Sequence, residues 1–155
     1  MKKWLFFLAC LAVVAALSGE GVAGRDVATL EPVQTVQLAV NGTDIILQTD
    51  TDAKGNGKSL ETALQDLHET APAFVFLDTA DYLLVDPKLQ GLIPSLQDLL
   101  RPSCRICLTE GQADMEQVGA FLKIHVPEVT MKDFLAGERG LPTLITNEEG
   151  MLLVP

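Results

Sequence analysis

Apolar and polar residues alternate between residues 33 and 40. A period of two residues is typical of a β-strand with one buried face and one exposed face, so we predict a half-buried strand there. Asn41 and Gly42 follow, and this residue pair is the strongest short signal for a β-hairpin turn. The apolar residues 45–47 then predict the returning strand.

A polar, glycine-containing segment at residues 50–58 predicts a loop, and a helix is predicted to begin directly after it. Ser59 is a suitable N-cap because its hydroxyl can accept a hydrogen bond from a backbone N–H of the first turn. The apolar residues that follow recur at the helical spacing i, i+3, i+4 and i+7. They are Leu60, Ala63, Leu64 and Leu67. Pro72 ends the pattern, since proline cannot continue an α-helix.

The rest of the chain alternates between short apolar runs and amphipathic segments. Strands are predicted at residues 73–77, 82–85, 104–108, 141–146 and 151–154, the last two forming a hairpin. Helices are predicted at residues 92–100, 113–124 and 131–136, with Pro94 in a first turn, where proline is tolerated. A hairpin followed by alternating helices and strands predicts a single α/β domain in which helices flank a mixed β-sheet.

The first residues predict export. Lys2 and Lys3 precede an apolar run at residues 4–17, and small residues suited to cleavage follow it. The run is shorter than the roughly 20 residues that a membrane-spanning helix needs, so a cleaved signal is favoured over an uncleaved anchor. We therefore predict a signal peptide at residues 1–23 and one domain at residues 24–155, a length that suits a single hydrophobic core.

The charge of the chain excludes some partners. It has 11 basic and 21 acidic residues and a formal net charge of −10. Removing residues 1–23 takes away Lys2, Lys3 and Glu20, which leaves 9 basic and 20 acidic residues and a net charge of −11. A surface of this sign repels phosphate backbones and anionic lipid headgroups, so we expect neither nucleic-acid binding nor electrostatic membrane binding.

The segment that follows residue 49 imitates a calcium-binding loop. Asp50 and Asp52 occupy the first and third ligand positions, Gly55 the turn position, and Glu61 the twelfth. Lys54, however, places a cation at the fifth position, where an oxygen ligand belongs. A strand rather than a helix is also predicted before the loop, so we predict no metal site here.

The same segment also imitates a phosphate-binding loop. Gly57, Lys58 and Ser59 precede the predicted helix as that motif requires, but Asp52 stands at the position of its first glycine and would repel phosphate. A solvated turn with a good N-cap is the preferred interpretation. His68 and His125 lack the neighbouring ligands that a metal site needs. We therefore predict no metal and no cofactor.

Cys104 and Cys107 form a Cys-x-x-Cys motif, and residues 140–144 resemble the cis-proline strand of thioredoxins. These features predict, as an alternative function, a secreted thiol–disulfide oxidoreductase with Cys104 and Cys107 as its redox pair. That chemistry needs the first cysteine at a helix N-terminus, where the helix dipole lowers its pKa. Residues 104–108 predict a strand instead, on which residues three apart point to opposite faces. We favour two packed cysteines.

Short segments along almost the whole chain occur in an order similar to that of one known family. They are Leu17-Ser18-Gly19, Arg25-Asp26-Val27, residues 59–67, the strand pair at 74–85, residues 99–113, residues 129–134 and Leu141-Pro142. On these segments the chain resembles the N-terminal domain of the Ger(x)C family, the lipoprotein subunits of spore nutrient-germinant receptors. Leu17-Ser18-Gly19 occupies the place of that family's lipid-attachment motif, but Glu20 stands where the lipid-bearing cysteine would be.

The resemblance implies a non-catalytic role in spore germination, on the outer face of the spore inner membrane beside membrane germinant-receptor subunits. The family continues into two further domains beyond the position of Pro155, so the chain resembles a truncated relative. We expect an exported accessory or binding protein that is not an enzyme, with its binding residues still to be located. The redox enzyme using Cys104 and Cys107 is the alternative, and a generic secreted binding module is the third. A strand at Cys104 and Cys107 favours the first function, and a helix start there favours the redox enzyme.

Overall fold

The computed structural model describes residues 30–147 and 150–155. The predicted signal peptide at residues 1–23 lies outside the described residues. The described strands are β1 (Leu30–Pro32), β2 (Thr35–Asn41), β3 (Asp44–Thr49), β4 (Lys54–Gly57), β5 (Phe74–Phe76), β6 (Tyr82–Val85), β7 (Arg105–Thr109), β8 (Thr143–Asn147) and β9 (Gly150–Val154). The described helices are α1 (Leu60–Thr70), α2 (Met115–Ile124) and α3 (Met131–Leu135), with 3-10 segments at Leu77–Thr79 and Pro87–Leu96.

Seven strands form one mixed sheet in the order β4-β3-β2-β6-β7-β8-β9. The four central strands β2, β6, β7 and β8 run parallel to one another. The hairpin β2–β3, the pairing of β3 with β4 and the hairpin β8–β9 add antiparallel strands at both ends. Strands β1 and β5 pair in parallel outside this sheet. The predicted mixed-sheet α/β domain is confirmed.

The first hairpin forms where the sequence predicts it. Asn41 pairs with Asp44 across the turn, and Gly42 has a φ of 63°. This left-handed backbone conformation costs a glycine little, which is why the Asn-Gly pair marks the turn.

The loop predicted over residues 50–58 is wrong in its second half, because Lys54–Gly57 form strand β4 at the edge of the sheet. No apolar pattern marks this strand in the sequence, since Gly55 and Gly57 carry no side chain. The absence of a side chain has a packing reason: a Cβ on Gly55 would lie 2.1 Å from the Ala63 carbonyl oxygen. Only glycine lets β4 approach α1 this closely.

Helix α1 confirms the predicted cap and stripe. The Ser59 hydroxyl accepts a hydrogen bond from the Thr62 backbone N–H, and the Thr62 hydroxyl accepts one from the Ser59 backbone N–H. This reciprocal arrangement satisfies two donors that the first turn would otherwise leave unpaired. Leu60, Ala63 and Leu67 are buried against the first face of the sheet.

The helix predicted over residues 92–100 is a 3-10 helix at Pro87–Leu96 instead. Asp86 caps it by accepting a hydrogen bond from the Lys88 backbone N–H. Pro87 and Pro94 lack backbone donors, so the regular α-helical ladder cannot form through this segment. The 3-10 helix still buries Ile93 and Leu96 on the same sheet face as α1.

The second face of the sheet is covered by α2. Its Val118 and Leu122 pack on Leu84, Cys107 and Leu144 from three neighbouring strands. Because both faces are covered near the centre, the prediction of a half-buried first strand is wrong. On β2, Thr35 and Gln37 are as buried as their apolar neighbours. Among the described residues no helix is long and apolar enough to cross a membrane.

Candidate functional site

The two cysteines of the Cys-x-x-Cys motif lie on opposite faces of the sheet. Cys107 is inside β7, and Cys104 is the residue just before that strand. Cys104 belongs to the core cluster that also contains residues of α1 and the 3-10 helix, whereas Cys107 belongs to the cluster beneath α2, and neither side chain is exposed. The prediction that a strand would separate the two thiols is confirmed, and both cysteines are free.

Burial also suppresses the reactivity of both thiols. It raises the pKa of Cys104 to about 12, although the nearby Arg101 acts in the opposite direction. Burial raises the pKa of Cys107 to about 12 as well, and the nearby Cys104 adds to the increase. Both thiols are therefore protonated at neutral pH, and the thiolate is the nucleophilic form.

The surroundings of Cys104 also differ from those of a redox cysteine. Its backbone N–H donates to the Arg101 carbonyl, and its carbonyl accepts from the Met131 N–H, so the residue is held in an irregular turn and not at a helix start. No cis peptide bond occurs in the described residues, so the segment around Pro142 lacks the cis-proline of thioredoxins. The geometry supplies neither part of a thioredoxin site.

The residues that match a calcium-binding loop in the sequence do not form a cluster of ligands in the structure. Both carboxylate oxygens of Asp50 accept hydrogen bonds from the Gln34 backbone N–H, at 3.1 and 3.2 Å. Asp52 adopts a φ of 62° in the turn between β3 and β4. Glu61 lies on α1, beyond the intervening strand β4. In the part of the chain that the structure describes, no three His, Cys, Asp or Glu side chains are grouped to hold a metal ion.

The remaining candidate residues, Gly57 and the two histidines, make packing contacts with neighbouring elements. Gly57 faces α1, where a Cβ would lie 2.2 Å from the Thr62 hydroxyl, so this glycine serves the close packing of β4 on α1. The His68 ring stacks on Phe74 with ring centres 5.9 Å apart. The His125 ring stacks on Phe121 with centres 4.4 Å apart, at the C-terminal end of α2.

A groove of about 910 Å³ runs between α2 and the turn that joins β3 to β4, and we call it the α2 groove. Side chains from both walls line it, among them Gln48, Asp50, Lys54, Glu116 and Lys123. Lys54 and Lys123 are exposed and positive, and the carboxylates of Asp52 and Glu116 also reach the groove. A surface with both signs of charge suits a polar ligand or a polar segment of a partner.

A buried glutamine, Gln37, holds Gln48, which lines the α2 groove. Gln37 and Gln48 lie directly opposite each other on β2 and β3, and the Gln48 amide donates to the Gln37 side-chain oxygen at 2.7 Å. The Gln37 amide donates to the Gly111 carbonyl at 2.8 Å, and its oxygen also accepts from the Ala113 N–H. The segment that leads into α2 is therefore attached to the sheet by side-chain hydrogen bonds.

The sequence analysis missed this network. The alternating pattern placed Gln37 on an exposed face, yet the residue is 0% exposed. The available signal was the predicted architecture, since a central strand in a sheet with helices on both sides must bury its polar positions too. Each buried amide then needs hydrogen-bond partners, and the loop after β7 supplies them.

Comparison of the chain with known protein families, with characterised proteins and with solved structures found no match. The resemblance to the Ger(x)C family accordingly stays a prediction from the sequence.

Proposed function

We propose that this protein is a non-catalytic, exported accessory or binding protein of spore germination. The α2 groove carries the binding role, because it is open and its lining residue Gln48 is held in place by a hydrogen bond to the buried Gln37. A surface that is already ordered loses little conformational entropy when a partner binds. The assignment to germination, and to membrane germinant-receptor subunits as partners, rests on the resemblance to the Ger(x)C family.

The state of the cysteines supports a role without a covalent step. Cys104 and Cys107 are the strongest potential nucleophiles of the described residues. Both thiols are buried on opposite faces of the sheet, and burial raises the pKa of each to about 12. A redox pair needs two thiols that can meet, so this arrangement favours the binding role over the alternative oxidoreductase.

The charge of the chain indicates how it would be held beside a membrane. A net charge of −10 is repelled by anionic headgroups, and Glu20 replaces the cysteine that would carry lipid. Protein contacts are then the means of attachment, in agreement with receptor subunits as partners.

Germination of spores that carry the gene tests the proposal. Deletion of the gene should slow nutrient-triggered germination, and the unchanged gene should restore it. We expect Lys123→Glu, which reverses a charge in the α2 groove, to fail in complementation. Lys132→Glu is the matched control, because it makes the same charge change at an exposed position on α3. The double variant Cys104→Ser with Cys107→Ser should complement whenever it accumulates to the normal level.

Each result has a separate meaning. Normal germination after deletion would show the assignment to germination to be wrong. Failure of Lys132→Glu together with Lys123→Glu would show that net charge, and not the groove, matters. Loss of germination in the double cysteine variant at normal protein level would point to the redox alternative.

A further inference from the structure

The two edge strands of the seven-stranded sheet, β4 and β9, differ in how well their outward backbone groups are covered. At the β4 edge, the Asn56 backbone N–H donates to the Asp66 carboxylate at 2.7 Å, and the Lys54 carbonyl accepts from the Thr70 hydroxyl at 3.0 Å. Both side chains belong to α1, which thereby covers outward-facing backbone groups of β4. Lys54 and Lys58 add positive charge there. Covered, charged edges of this kind resist pairing with another strand.

The opposite edge strand, β9, has neither covering side chains from a described helix nor a charged side chain of its own. Residues 150–155 include no charged side chain. None of the described residues forms a hydrogen bond with the outer edge of β9, whose one strand partner is β8. An uncovered, uncharged apolar edge favours the addition of a further strand.

The register identifies which backbone groups point outward. The Leu108 N–H donates to the Pro142 carbonyl at 2.8 Å, so the even-numbered residues of β8 face β7 and the odd-numbered ones face β9. Ile145, an odd-numbered residue, pairs with Leu152, which therefore bonds inward. By alternation, Met151 and Leu153 direct their N–H and C=O groups away from the sheet.

The side chains of this edge are apolar on both faces. Leu152 is 58% exposed and lies beside Ile145, which is 44% exposed, on one face. Met151 and Leu153 pack partly against the core beneath α2 on the other face. Leu152 and Ile145 together form an exposed apolar pair at this end of the sheet.

We propose that β9 pairs with β9 of a second copy of this chain, in antiparallel orientation about a two-fold axis through Leu152. Met151 of each copy then faces Leu153 of the other, and since both residues point outward, the two pairs exchange four backbone hydrogen bonds. At the axis, Leu152 of one copy lies opposite Leu152 of the other, and the exposed Leu152–Ile145 pairs of the two copies come into contact.

The exposed apolar pair favours a second copy as the occupant, because Leu152 and Ile145 of one copy cover the same two residues of the other. Two copies of a chain with a net charge of −10 repel each other, and Glu148 and Glu149 precede β9, so the contact depends on apolar burial and backbone pairing at residues 150–155, which carry no charged side chain. A self-complementary strand satisfies its outward groups without a charged partner. Because β4 is covered, β9 is the one uncovered edge of the seven-stranded sheet among the described residues, so pairing through it closes as a dimer instead of growing into a fibre.

Sedimentation of the purified protein over a range of concentrations tests the proposal. We expect a concentration-dependent dimer. Leu152→Lys, which places two ammonium groups together at the axis, should weaken dimerisation at least tenfold. Met151→Pro should do the same, because it removes an outward donor while the inward ladder to β8 stays intact. Leu135→Lys is the matched control, a leucine that is 43% exposed on α3, and it should leave the dimer unchanged.

Hydrogen exchange gives a second readout that apolar contact alone would not produce. The backbone N–H groups of Met151 and Leu153 should exchange more slowly as concentration rises. The proposal is overturned by a wild-type protein that stays monomeric at high concentration, which would leave the edge to a strand of another protein. A fibre, a dimer that survives both β9 variants, or a dimer equally weakened by Leu135→Lys would overturn it too.

Discussion

At the scale of the residue, Gln37 links the core to the α2 groove. Its side chain is fully buried, yet both ends of its amide are bonded, to Gly111, Ala113 and Gln48. Among the described residues no buried side-chain polar atom lacks a partner. Burying an amide without partners costs free energy, and the same amide with partners specifies one arrangement of the loop that leads into α2.

The cysteines give a prediction at the same scale. We expect iodoacetamide at pH 7 to leave Cys104 and Cys107 unmodified in the folded protein, because both thiols are buried and their pKa values are raised to about 12. Both should react after denaturation, and mass spectrometry of the digested protein counts the labelled sites. Fast labelling of Cys104 in the folded state, or insulin reduction that the double Cys→Ser variant loses, would contradict this.

At the scale of the element, the contact between β4 and α1 depends on the absence of two side chains. Gly55 lies against the backbone of α1, with the Ala63 oxygen and the Leu67 nitrogen at 2.1 and 2.5 Å from where a Cβ would be. Backbone atoms of a packed helix cannot move aside cheaply. The glycines that resemble a phosphate loop in the sequence therefore serve close packing.

Gly55→Ala should accordingly lower the free energy of unfolding by about 2 kcal/mol, the size of an overpacking strain in a packed core. Gly91→Ala is the matched control, because nothing lies within 4 Å of its Cβ and its φ is not positive. That change should be neutral or slightly stabilising, since it restricts the unfolded chain. Urea unfolding of both variants measures the difference. Equal stabilities would show that β4 does not press on α1 as described.

At the scale of the whole molecule, the sequence predicts the layered α/β architecture and most element positions. Local signals suffice for the Asn41–Gly42 turn and the Ser59 cap, because neighbouring residues determine both. Strand β4 and the burial of Gln37 depend on contacts with α1 and with the loop after β7, and no local pattern encodes those. The α2 groove was unpredictable for the same reason, since its walls are distant in the chain.

The pH dependence of the free energy of unfolding should also reflect the burial of the two thiols. Burial raises the pKa of each thiol from 9.0 to about 12, so above pH 9 the unfolded chain releases these protons while the folded chain keeps them. This stabilisation is complete below pH 9 and is lost as the pH rises toward 12, by about 1.4 kcal/mol per thiol and pH unit.

Urea unfolding at about pH 8 and about pH 10.5 measures this loss, which should reach about 4 kcal/mol for the two thiols together. The double variant Cys104→Ala with Cys107→Ala is the comparator, because it keeps every other titrating group, including the tyrosine and the lysines. It should be less stable than the wild type near neutral pH, where it lacks the packing of two sulfur atoms, and should lose less stability as the pH rises. Parallel pH profiles for the two proteins would mean that the thiols ionise as readily in the folded chain as in the unfolded one.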